Sequence, residues 1–240
     1  MRCETKAVNG DVIMNFYVED KVLDVGVKIL FATVEGVNNH KASEKWKEVR
    51  NHKIQALLDE YRGLDVHSDP ILEGFNILHD NSGVKRRKNI PASENLIKLL
   101  LKHEGMPYIN QAVDIYNVIS MDSKLALGAH DMDQVEGNVT LRFTDGTEKY
   151  QPIGQKEAGV SPEGEYSYCD DANEVLCRLE IRQVEKTKVT EEAQNIFYIV
   201  QGNEATPDEL LQKTAEKIIH LTTEYCGGEG KVIKPTVIRK

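Results

Sequence analysis

The apolar residues of this chain follow one period before Asn138 and another after it, and that change is the strongest constraint on its fold. Before Asn138 they fall mostly at helical spacing; after it they recur at every second position. "NVTLRFTDGTEKYQPIG" reads as a hairpin with Asp145-Gly146 in the turn. "GEYSYCDD", "EVLCRLEIRQ" and "NIFYIVQG" read as three further strands. Upstream, Ser43 is placed to cap a helix with an apolar face of Trp46, Val49, Ile54, Leu57, Leu58 and Tyr61, stopped by Gly63. Ser93 is placed to cap another carrying Leu96, Leu99, Leu100 and His103, and Tyr108 to Ser120 has helical spacing. Val22 to Val34 reads as a buried strand and Asp65 to Asn89 as a loop. Thr206 to Glu209 has the form of a capping box opening a helix to about Thr223, before a glycine-rich, flexible tail. Helices first and clustered strands second give an α+β fold, with mixed or antiparallel sheets flanked by helices. The expected organisation is one domain over residues 1–240, with 1–90 as its N-terminal part and 91–240 as its core.

Several function classes lack support. The net charge of −9 argues against indiscriminate coating of nucleic acid, which needs cation density. Lys85-Arg86-Arg87-Lys88 is the densest basic run, and local charge is the only argument that it meets a polyanion. No apolar run long enough to span a membrane is present, and Arg2, Glu4, Lys6 and Asp11 interrupt any leader, so a cytoplasmic protein with no membrane partner is expected. Cys3, Cys169, Cys177 and Cys226 have no metal-finger spacing and are expected as reduced thiols. "CGGEGKV" lacks the first glycine and the final Ser or Thr of a phosphate loop. His130, Asp131 and Asp133 offer metal-ligand atoms, but His130 and Asp131 would point to opposite faces of a strand, and no metal or other cofactor is expected.

Two polar concentrations remain. In "YINQAVDIYNVISMDSKLALGAHDMD", Asn110, Asp114, Asn117, His130, Asp131 and Asp133 sit among apolar residues. In "RLEIRQVEKTKVTEEAQN", a continuous strand puts Glu180, Arg182, Val184 and Lys186 on one face. Gln183, Glu185 and Thr187 then share the other. A partly desolvated carboxylate there could read a hydroxyl or an amine. The same alternation also describes a strand running out into solvent.

Taken in order, the two stretches resemble the B3/B4 editing domain of the bacterial phenylalanyl-tRNA synthetase β subunit, and more closely the stand-alone proteins built from it. The resemblance rests on Pro107–Val118, on Leu127-Gly128-Ala129-His130-Asp131-Met132-Asp133, on Gly137–Arg142, and on Val184-Glu185 with Gln194-Asn195. It implies a B3/B4-like fold and hydrolysis of misacylated tRNA in trans by a positioned water. The implied partner is the aminoacylated 3′ end of a tRNA, with a free amino acid as the smaller alternative, and no DNA. Asn117 and Glu185 would be the catalytic pair. His130, Gln183 and Thr187 would be neighbours, with Arg182, Lys186 and Lys188 on the terminal phosphates. Asn110, Asp114 and Asp131 would be framework. The sequence departs from the family at Gly128, where a histidine is usual, and at Tyr116, where a threonine is usual. A module that binds tRNA or an amino acid without chemistry is the alternative.

Overall fold

Two strands with apolar residues on both faces, Lys28–Glu35 and Asn195–Gly202, organise the molecule. Their alternate side chains supply two different cores, so neither face can be left in water. Leu30, Ala32, Val34, Ile196, Tyr198 and Val200 pack under helices, while Ile29, Phe31, Phe197 and Ile199 pack against a second sheet.

The structure, a computed structural model, describes residues 14–40 and 43–239. Cys3 and the charged residues up to Asp11 that bear on a leader lie outside the described residues. The elements run β1 (Phe16–Glu19), α1 (Asp20–Asp24), β2 (Lys28–Glu35), α2 (Glu44–Tyr61), α3 (Pro70–Asn81), α4 (Ala92–His103) and α5 (Gln111–Ser123). Then come β3 (Ala126–Asp131), β4 (Val139–Phe143), β5 (Lys149–Tyr150), β6 (Gly159–Val160), β7 (Tyr166–Asp170), β8 (Val175–Arg178) and β9 (Arg182–Gln183). The chain closes with β10 (Asn195–Gly202), α6 (Asp208–Cys226), β11 (Glu229–Ile233) and β12 (Thr236–Ile238). The antiparallel sheet β11-β2-β10-β3 is covered on one face by helices and on the other by the mixed sheet β12-β1-β4-β7-β8-β9. This is an α+β fold, as expected. Strand β3 is an edge strand; its free side is closed at one end by the antiparallel bridge between His130 and Lys188 and is left open beyond it.

Several sequence expectations need correction. Val22 lies in α1, not in a strand: Gly26, at φ +105, breaks the apolar run and the strand begins at Lys28. The stretch read as a loop contains α3, because Asp69 accepts from the amides of Ile71 and Leu72 and Pro70 takes the first helical turn. Gly74 is a packing glycine inside that helix, since a Cβ there would lie 2.4 Å from Asn203 Oδ1. Ser93 is not a cap; it is buried inside α4, which Pro91 opens. The hairpin at Asp145-Gly146 is absent: β4 pairs with β1 and β7, while β5 pairs with β6. Glu148 holds the intervening turn by accepting from the amides of Asp145 and Gly146. Thr206 does not cap α6; its hydroxyl accepts from the Asn203 amide instead. The glycine-rich tail is ordered as β11 and β12, and a Cβ on Gly230 would lie 2.8 Å from Thr33 O, too close for a side chain.

The framework residues of the first polar stretch behave as expected. Asn110 caps α5 by accepting from the Val113 amide and donates to Val189 O, tying that helix to the second stretch. Asp114 accepts from Trp46 Nε1 at 2.9 Å and pairs with Arg50 at 2.7 Å, which joins α2 to α5. Asp131 accepts from the Asp133 amide.

Candidate functional site

The open edge beside β3 is where the two polar stretches meet. Helix α5 brings Tyr116 and Asn117 to it, and the opposing wall comes from the chain after β8. That wall is irregular for a local reason. Leu179 has φ +53, a left-handed conformation unfavourable for leucine, and it ends the β8 pairing. Arg182 and Gln183 return to pair with β8, and Val184 N still donates to Leu176 O (3.2 Å), before the chain bends against the segment Gln151–Gly154. There Ile153 N donates to Gln183 O (3.1 Å) and Glu185 N to Gln151 O (2.9 Å). The continuous strand expected from Arg178 onward is therefore absent, and so is its alternation of faces.

Two adjoining clefts share this wall. One, of about 150 Å³, lies between Asn95 and Leu96 of α4, Tyr116 and Asn117 of α5, and Glu180, Ile181 and Gln183. The other, of about 270 Å³, lies between Tyr116, Pro152, Ile153, Arg182 and Gln183. Tyr116 and Gln183 line both. Gln183 Nε2 donates to Tyr116 OH at 3.3 Å, and burial pushes the phenol up to about 12, so it stays a neutral hydroxyl at neutral pH. A Cβ on Gly128 would lie 3.1 Å from the same Nε2, so the glycine leaves room for the glutamine amide. Asn117 is half-buried, and among the described residues its amide has no protein partner.

Beneath this wall lies a buried ionic network. Glu180, with its side chain fully buried, faces His79 Nε2 at 2.6 Å and accepts from Tyr166 OH. Tyr168 OH donates to Gln201 Oε1, and Gln201 Nε2 donates to Tyr166 OH. Burial opposes charge on both groups of the pair, but each partner outweighs it: His79 is held above its ordinary pKa and Glu180 below its own.

The remaining expected site residues fall elsewhere. Glu185 lines neither cleft; it pairs with Lys188 and accepts from the Gly154 amide at 3.1 Å, and its carboxyl is held below the usual range by the Lys188 hydrogen bond and then by that amide. It thereby fixes the segment that walls the larger cleft. Lys186 reaches Glu174 at 3.0 Å and Asp170 at 3.6 Å. Thr187 and His130 are fully buried and share a 2.8 Å hydrogen bond, so neither faces the clefts. His130 also stacks on Phe197, with ring centroids 4.9 Å apart, and burial lowers its pKa to about 3. Of the seven expected residues, Asn117, Gln183 and Arg182 come together. Tyr116, Asn95 and Glu180 join them; Tyr116 carried a signal as a departure from the family pattern and Glu180 as a member of the second polar stretch, while Asn95 carried none.

Cys169, Cys177 and Cys226 are buried, and burial raises Cys169 to about 12 and Cys177 further, so neither is a thiolate near neutrality. Asp133 accepts from Asn195 Nδ2 while His130 faces inward, so "HDMD" forms no cluster; among the described residues no group of three or more His, Cys, Asp or Glu is arranged to hold a metal.

Residues 82–227 match the family described as the B3/4 domain. The phenylalanine–tRNA ligase β subunit of Brucella abortus (strain 2308) is 26% identical over 202 residues, covering 75% of this chain and 24% of that protein. That of Fusobacterium nucleatum is 26% identical over 145 residues, covering 60% of this chain and 18% of that protein. The chain thus spans about a fifth of the length of the curated relatives it matches. The crystal structure of an N-terminal fragment of the phenylalanyl-tRNA synthetase β subunit from Pyrococcus horikoshii superposes with a TM-score of 0.51 at 16% identity. It covers 100% of this chain and 55% of that one, a likeness of fold.

Proposed function

The chain belongs to the B3/4 domain family, and from that premise we propose that it hydrolyses the ester of misacylated tRNA in trans, in the cytoplasm. The observation that carries this reading is the meeting of two neutral amides, the unpartnered Asn117 and the weakly held Gln183, in one cleft. Such groups suit a reaction that needs an oriented water and a held carbonyl rather than a covalent nucleophile. In this reading the aminoacyl ester enters the cleft that Asn117 and Gln183 both line. The two amides orient the carbonyl and the attacking water; water adds to the carbonyl carbon, the ester C–O bond breaks, and the ribose oxygen leaves with a proton. Gln183 occupies the space that Gly128 vacates. Glu185 acts by anchoring the wall through Gly154, with Thr187 and His130 supporting the chain behind it.

Asn117→Ala and Gln183→Ala are each expected to slow single-turnover deacylation by about 10–100-fold. Because neither side chain is a core contact, the melting temperature should barely move. Unchanged rates in both variants would remove the assigned site. Glu185→Ala should act more weakly, through the wall alone. Saturable binding of aminoacyl-tRNA with no turnover would instead favour the binding-module reading.

A further inference from the structure

A second concave surface adjoins the first at Arg182. Lys85, Lys88, Arg178 and Arg182 line a cleft of about 380 Å³ with Gly83, Val84, Asn89 and Glu165. Glu165 is its one carboxylate, and Arg178 already pairs with it at 2.5 Å. Among the described residues, Lys85, Lys88 and Arg182 are exposed and take part in no ion pair. Arg86, inside the same basic run, is instead committed to Asp80 and Glu73. The turn that carries the two lysines is also held in place. Buried Asn89 donates to Lys85 O (3.1 Å) and accepts from Arg178 at 3.2 Å, fastening the basic turn to β8.

Four cations facing one neutralised carboxylate, on a chain of net charge −9, concentrate positive potential where an anion gains most from it. Arg182 also lines the Tyr116–Gln183 cleft, so an anionic strand held here would deliver its end to those amides. We infer that Lys85, Lys88 and Arg182 form a docking track for the phosphodiester backbone of single-stranded RNA next to its 3′ end. The inference rests on the deacylase reading for the identity of the strand, but it concerns binding and is measured without turnover. Lys186 and Lys188 have no part in it, because acids of this chain already hold both.

The test is the salt dependence of binding of uncharged tRNA to the full chain. Lys85→Ala/Lys88→Ala and Arg182→Ala should flatten the slope of log K against log salt by about 0.7 per cation removed. Lys85→Arg/Lys88→Arg should keep the wild-type slope, since it preserves charge. An unchanged slope in the alanine variants overturns the track while leaving the deacylase reading intact. If the slopes shift as expected and no charged tRNA is hydrolysed, the track stands and the deacylase reading fails.

Discussion

Replacing Glu180 with alanine is expected to lower the unfolding free energy by about 3–5 kcal/mol, the usual cost of removing one partner of a buried ion pair. The pair joins α3 to the wall of the site across 101 residues, and both side chains are fully buried. Loss of the carboxylate leaves the His79 imidazole without its counter-charge and Tyr166 OH without its acceptor. The double substitution His79→Leu/Glu180→Met should recover most of the loss, because apolar groups of similar size need no counter-charge. Chemical denaturation of the three proteins measures both effects. A cost under about 1 kcal/mol for Glu180→Ala would mean that the pair is not buried and charged as described. Glu180 also precedes Gln183 by three residues, so the variant should lose deacylation as the wall relaxes.

His130 supplies the second large effect, and it depends on pH. The folded protein keeps the imidazole neutral down to about pH 3, whereas in the unfolded chain it protonates near its ordinary value of 6.5. Between those values the unfolded state binds the extra proton, so stability rises with pH and is lost as pH falls. Two pH units below 6.5 the penalty reaches roughly 3 kcal/mol, at about 1.4 kcal/mol per unit. His130→Phe keeps the stack on Phe197 and removes the titration; it costs about 1 kcal/mol at neutral pH through the Thr187 hydrogen bond. The stability curves of wild type and variant should therefore cross on acidification. Parallel curves would show that His130 is hydrated in the folded state.

What the sequence makes legible follows from range of interaction. Helices α2 and α6 and strand β10 were readable because a long periodic face announces itself locally. Helix α3 was not, since Pro70 and Gly74 look like breakers until Asp69 and Asn203 give them places. The site divides in the same way. Asn117 became a candidate only through family resemblance, and Gln183 through an alternation that the left-handed Leu179 in fact interrupts. That interruption is why Glu185 sits in the outer wall rather than in the cleft, and why Glu180 turns inward to His79. The ion pairs of Lys186 and Lys188 were not legible for a different reason: the partners of Lys186 are distant in sequence, and the Lys188–Glu185 pair depends on a tight turn.

The central claim, ester hydrolysis of tRNA in trans at the Asn117–Gln183 cleft, is tested most directly by incubating the purified full chain with a panel of correctly and incorrectly charged tRNAs and following release of the amino acid. The predicted result is that at least one misacylated tRNA is hydrolysed well above its spontaneous rate while its correctly charged counterpart is spared, with the difference lost in Asn117→Ala. Decay of every tRNA in the panel at the rate seen without protein would contradict it.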